Sequence, residues 1–160
     1  MNDAARFIDQ VGFCLLFASA QNLELSSLFE AVKGRRDAHI EDWDADSDRV
    51  WVWKNDLPAS KRAYYGKALA GKPVFVSLKM LPYLYALNAL DVRQEYRHGR
   101  LSHEAKRVYD ILRERGPMPT MALRGAAGFG RDTNRVHRAL DDLQRALVVL
   151  PVGAVIEHGA

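Results

Sequence analysis

Ala4, Phe7, Ile8, Val11, Cys14 and Leu15 recur at three- and four-residue spacing, the period of an amphipathic helix, and Asn2 or Asp3 can cap it. Leu25, Leu28, Phe29 and Val32 repeat the period over a shorter stretch that stops at Gly34, which predicts a second helix. Residues 35–48 then turn polar and acidic, with Glu41, Asp42, Asp44, Asp46 and Asp48, and read as an exposed loop. Trp51 and Trp53 flank Val52 in a short apolar piece ending at Leu57 and Pro58. Because proline starts a helix more readily than it continues one, the next helix is expected over residues 59–70, closed by Gly71. Pro73, Val74, Phe75 and Val76 predict a brief strand, followed by an apolar helix over residues 77–87 with Pro82 in its first turn.

Over residues 88–99 the apolar signal fades while Arg93, Arg97, His98 and, just beyond, Arg100 accumulate, which marks a linker. It divides residues 1–90, a helical module for which a degenerate winged helix is one form, from residues 91–160, a winged-helix DNA-binding module. The second module reads as three helices and a hairpin. Ser102 caps a helix with Ala105, Val108, Tyr109 and Leu112 on one side, ended by Gly116 and Pro117. Thr120 caps a short one through Leu123, Ala126 and Ala127. Gly128, Phe129 and Gly130 then supply a turn of the length that joins two helices of a helix-turn-helix. In the third helix, opened by Asp132 or Arg131, Val136, Leu140, Leu143 and Leu147 fall in a narrow stripe, with Arg131, Asn134, Arg138 and Arg145 opposite. Val148, Val149, Leu150 and Val152 predict a strand, Gly153 a turn, and Val155 and Ile156 the returning strand of a wing. The fold class is therefore mainly α with small β-hairpins (α+β), a winged helix-turn-helix, single or two in tandem.

Composition changes this picture little: 48% hydrophobic and 27% charged residues in a chain of 160 are enough to build one domain or two small ones. Charge adds more. Residues 1–60 carry 11 acidic and 6 basic side chains, a balance of −5, whereas residues 61–160, with 9 acidic and 17 basic, stand at +8. Such a split suits a polyanionic partner on the C-terminal side. The lone Cys14 cannot form an internal disulfide and reads as a buried structural thiol. No apolar run approaches the roughly 18 residues that cross a bilayer. Asp3 and Asp9 replace the basic leader of a signal peptide, so a cytoplasmic protein without membrane attachment is expected.

The third helix of the second module carries the chemistry. Arginine and asparagine make bidentate contacts with guanine and adenine edges when such a helix enters the major groove, so Arg131, Asn134, Arg135, Arg138 and Arg145 are the candidate DNA-binding residues and double-stranded DNA the partner. A solvated basic face is the plain alternative. Asp141 and Asp142 lie at the helix's far end, where they repel phosphates less. Trp51, Trp53, Tyr64, Tyr65, Tyr83 and Tyr85 read as core at helical spacing, with stacking on exposed bases as the rival use. His39, His98, His103, His137 and His158 fit no zinc spacing, so neither a metal nor another cofactor is expected. There is no phosphate-cradling glycine loop and no nucleophile elbow, so no catalytic residue is assigned. A homodimer or a protein partner stays open.

The segments Val11-Gly12-Phe13-Cys14, Val50-Trp51-Val52-Trp53-Lys54, Leu57-Pro58, Tyr65-Gly66-Lys67, Phe75-Val76-Ser77-Leu78, Leu81-Pro82-Tyr83 and Arg100-Leu101-Ser102-His103-Glu104-Ala105 resemble bacterial winged-helix proteins related to the AlkZ (YcaQ) crosslink-repair DNA glycosylases. The resemblance covers nearly the whole chain and implies tandem winged helices and DNA binding. Members of that family unhook damaged bases with a motif of glutamine or histidine, one residue, then glutamine or aspartate. Gln10, Gln21, Gln94 and Gln144 lack that second member, as do the five histidines, and the chain is under half the length of a full glycosylase. The resemblance therefore carries over the fold and DNA binding but not catalysis. A reduced glycosylase acting on alkylated or crosslinked bases, and an interaction module built on a winged helix, are the two alternatives.

Overall fold

A computed structural model of the chain describes residues 1–18, 25–36, 40–69, 71–88 and 90–152. They divide into two compact units, Met1–Leu84 and Tyr85–Ala160. The described part is α-rich, with one small antiparallel sheet.

In unit 1 the helix α1 (Asn2–Val11) ends earlier than its apolar period suggests, and Met1 rather than Asn2 or Asp3 precedes it. The reason is Gly12, at φ 81, a left-handed conformation that favours glycine and stops the helix. Phe13–Leu15 then forms a strand, β1, instead of a further helical turn. The helix α2 (Leu28–Lys33) begins three residues after Leu25 because Ser27 caps it reciprocally: its hydroxyl accepts from Glu30 N at 3.1 Å, and the Glu30 carboxylate accepts from Ser27 N at 2.6 Å. Gly34 ends it at φ 66.

The predicted acidic loop is only partly a loop. Asp44 accepts from Ser47 N at 2.9 Å and starts the helix α3 (Ala45–Ala59), which takes in Asp46, Asp48, Trp51 and Trp53 and carries Pro58 in its last turn. The helix expected over residues 59–70 is instead the strand β2 (Tyr64–Leu69), paired with β3 (Lys72–Val76). Alanines there favour helix locally, but Tyr64, Gly66 and Ala68 alternate inward once the chain lies beside β3, and tertiary pairing decides. The sheet order is β1-β3-β2: Phe13 faces Val76, Cys14 faces Phe75, Tyr64 faces Val76, and the β2–β3 register shifts between Gly66 and Leu69. Its core gathers Ile8, Cys14, Leu28, Phe29, Val50, Leu57 and Phe75, each at most 2% exposed. The helix α4 (Leu81–Asn88) starts four residues later than expected, after a turn in which Ser77 Oγ accepts from Met80 N, and it buries none of its residues.

In unit 2 the expected linker contains a helix, α5 (Val92–Arg97), capped by Asp91, whose carboxylate accepts from Arg93 N and Gln94 N. One and a half turns with little apolar content leave no visible period. The helices α6 (His103–Arg115), α7 (Thr120–Ala126) and α8 (Thr133–Arg145) follow. Ser102 and Asp132 cap α6 and α8; Pro119, not Thr120, precedes α7. Ala105, Val108, Ile111, Leu123, Ala127, Phe129, Val136, Ala139 and Leu143 form one buried cluster. Residues 148–152 are irregular rather than a strand, although Val148 and Val149 pack on this core. Backbone bonds from Val148 N and Val149 N to Leu143 O fold them back onto α8. The turn at Gly153 and the return through Val155 and Ile156 lie outside the described residues.

Candidate nucleic-acid interface

Between α7 and α8 the chain turns through Gly128 and Gly130, at φ 69 and 59, and the Phe129 between them is buried. Two left-handed residues around a buried anchor reverse the chain tightly. Asp132 Oδ1 accepts from Asn134 N at 2.9 Å and Arg135 N at 3.3 Å, which satisfies two amides at the start of α8. Val136, Ala139 and Leu143 are buried along one side of that helix, while Leu140 is only partly buried beside them and Leu147 is buried beyond the helix end. Arg131, Asn134, Arg138 and Arg145 are all exposed. At about 100° per residue Asn134, Arg138 and Arg145 share one side of the helix, Arg131 lies in the turn before its cap, and Asp141 falls on that same side, nearer the C-terminal end.

Arg135 stands apart from the other four. Its Nη2 donates to Glu104 Oε1 on α6 at 2.8 Å, and its guanidinium carbon lies 4.8 Å from the centre of the Phe129 ring. This arginine ties α8 to α6 and to the turn. The pairing also holds the Glu104 carboxyl below its usual range, chiefly through the Arg135 hydrogen bond. The sequence pattern does not single out Arg107 on α6, yet it is exposed and a Cβ added at Gly128 would meet its Nη2 at 3.6 Å. Only the folded turn brings that arginine to the α7–α8 junction.

Charge divides between the units less sharply than along the chain. Residues 85–160 hold 12 basic and 9 acidic side chains, because Lys61, Arg62, Lys67, Lys72 and Lys79 belong to unit 1, on or near the β2–β3 hairpin. Several of these are engaged: Arg62 donates to Asn2, and Lys79 pairs with Asp9 at 3.3 Å. Unit 2 keeps a small positive balance spread over its helices, and α8 with the turn before it contributes four of its twelve basic side chains.

The aromatic residues split. Trp53 and Tyr65 pack partly buried against the unit 1 core and Tyr64 is buried, but Trp51, Tyr83 and Tyr85 are 47%, 68% and 55% exposed, contrary to the core reading. Cys14 is fully buried, and burial pushes its thiol up to about 12. Among the described residues no group of three histidine, cysteine or acidic side chains lies together as a metal set, and no helix is long and apolar enough to cross a membrane. The carboxyls with displaced acidities, Asp44, Asp91, Glu95 and Glu104, all move downward, toward the anion, under hydrogen bonds from Lys33, the Gln94 backbone, Arg100 and Arg135 respectively.

The family model described as AlkZ related matches residues 1–158. No curated protein and no solved structure matches the chain.

Proposed function

The chain belongs to the AlkZ-related family, and on that premise we propose that it binds duplex DNA through α8 without excising a base. The observation that carries this reading is the exposed set Asn134, Arg138 and Arg145 on a helix whose opposite side is locked into the core by Val136, Ala139 and Leu143, with Arg131 exposed in the turn just before its cap. A rigid helix of this kind, entered through a capped N-terminus after a tight turn, presents its first turns to base edges while arginines nearer its end meet phosphates. Arg131, Asn134 and Arg138 take the base-edge role. Arg145, with Arg107 at the turn, takes the backbone. Arg135 supports α8 from behind.

The winged-helix reading rests on both units. Unit 1 runs helix, strand, helix, helix, strand, strand, and its strand order β1-β3-β2 puts the first strand beside the last. That is the element order of a winged helix, with α3 as the third helix and the β2–β3 hairpin as the wing. Unit 2 supplies the helical half in α6, α7 and α8. Non-catalysis is favoured by the missing family motif.

Anisotropy of a labelled duplex titrated with the whole chain tests the proposal. Affinity should fall with salt at a slope of about 0.9 per phosphate contact. A flat salt response, or release of an alkylated base by the pure protein, overturns it.

A further inference from the structure

The acidic stretch and the exposed tryptophans, which DNA binding through α8 leaves unused, meet on α3 of unit 1. A row of aromatic rings leads there from the core: Phe29, 2% exposed, stands 5.6 Å from Phe17, Phe17 5.9 Å from Trp43, and Trp43 6.0 Å from Trp51, each pair edge to face. The two indoles at its outer end stay 52% and 47% exposed, and Val52 beside them is 50% exposed. The ring of Trp51 already holds a cation, with Lys54 Nζ 3.6 Å from its centre. Glu41 and Asp42 directly precede Trp43 in the chain, and Asp44, Asp46 and Asp48 cap and open α3. Asp44 and Asp46 share Lys33, Asp48 accepts from Trp43 Nε1, and Glu41 and Asp42 are exposed with no ion pair among the described residues.

We propose that the surface at the start of α3, built on Trp51 and on Trp43 just before the helix and rimmed by carboxylates, docks an arginine-rich segment of a protein partner. Charge complementarity selects the occupant. In the winged-helix order α3 holds the position that commonly meets nucleic acid, but five carboxylates within or just before it would oppose phosphates. A purely apolar helix would leave those carboxylates unused and partly desolvated. A guanidinium satisfies both parts of the surface, since it stacks on an indole face and donates two parallel hydrogen bonds to a carboxylate. The rings of Phe17 and Phe29 brace the two indoles from below, so little order has to be imposed on binding.

The test uses tryptophan fluorescence of the whole chain titrated with nona-arginine, nona-lysine and a single-stranded thymidine oligonucleotide. Nona-arginine should change the emission and saturate, binding more tightly than nona-lysine. Trp51→Ala, and separately the pair Glu41→Gln and Asp42→Asn, should each weaken it about tenfold or more, while Arg138→Ala leaves it unchanged. Trp51→Phe should keep part of the affinity, and the carboxylate pair decides the matter if the alanine variant fails to fold. The proposal is overturned if nona-arginine binds the Trp51 variants and the carboxylate variants as it binds the parent, or does not bind at all. It is equally overturned if the oligonucleotide is the ligand that depends on Trp51, or if sedimentation shows a self-association that Trp51→Ala abolishes. Loss of duplex binding in Arg138→Ala with nona-arginine binding intact separates this face from the one on α8.

Discussion

Arg135 on α8 and Glu104 on α6 form an ion pair at 2.8 Å, with the arginine plane also resting near Phe129. Sequence pattern alone makes Arg135 and Arg138 equivalent; the structure separates them. Arg135→Ala should lower the melting temperature, because it removes the partner of Glu104 and uncovers the ring in the α7–α8 turn. Arg138→Ala should stay within about 0.5 kcal/mol of the parent in stability and yet lose duplex affinity. If Arg138 reads a base edge the loss is about 1 to 3 kcal/mol at the preferred site and near zero elsewhere; a phosphate contact weakens all sequences alike. Thermal melts and anisotropy on the two variants distinguish these outcomes.

The same pair sets a pH dependence. The folded protein holds Glu104 below its ordinary value of 4.5, first through the Arg135 hydrogen bond. A lowered folded-state pKa stabilises the fold above the unfolded value, and that contribution disappears as pH falls through the folded one. The melting temperature of the parent should therefore exceed that of Glu104→Gln at neutral pH, and the gap should narrow below pH 4.5. A gap that persists unchanged in acid would mean the pair contributes packing rather than charge.

Leu143 and Leu140 lie on the same predicted stripe but differ in burial. Leu143 is 0% exposed inside the three-helix core, and Leu140 packs only partly against it. Leu143→Ala should cost about 2 to 5 kcal/mol in a denaturant titration. Leu140→Ala should cost clearly less, because water reaches the space its side chain leaves.

In β2 the Tyr64 ring folds over Gly66, so a Cβ added at Gly66 would collide with its hydroxyl and with Cζ, the latter at 2.7 Å. Tyr64 is 4% exposed and cannot swing away freely, and its hydroxyl has no hydrogen-bond partner among the described residues. Gly66→Ala should destabilise unit 1 by about 1 to 3 kcal/mol. Tyr64→Phe should be neutral or stabilising, since a buried hydroxyl left unpaired costs about 1 to 3 kcal/mol. Combined with Gly66→Ala it should recover part of the loss, as measured by denaturant melts of the single and double variants.

Legibility in the sequence followed the range of the interactions. Ser102, Gly116, Asp132, the glycines at 128 and 130 and the stripe through Val136 and Leu143 act within a few residues, so α6, α7 and α8 can be read directly. The strand at residues 73–76 is legible for the same reason, being β-branched and aromatic. What depends on distant partners is not: β1 and β2 exist because both pair with β3, and neither Phe13–Leu15 nor Tyr64–Leu69 signals that locally. The role of Arg135 hides likewise, since Glu104 is remote along the chain. The exposure of Trp51 follows from a helix whose cap, Asp44, is one of several aspartates and so indistinguishable by type. Of the five candidate DNA contacts, Asn134, Arg138 and Arg145 are exposed on α8, Arg131 is exposed in the turn before it, and Arg135 braces α8 against α6.

Pairing β1 with β3 also orders events during synthesis. Phe13–Leu15 is made well before β3, which ends at Val76, so its pairing with that strand has to wait while α2, α3 and β2 are made, although Leu15 N finds Ser26 O nearby. Unit 1 can close only after that long loop is joined, whereas the helices of unit 2 find their neighbours within a short span and can form without delay. The N-terminal half is consequently the slower to mature and the one that most needs protection from other chains while its edge is open.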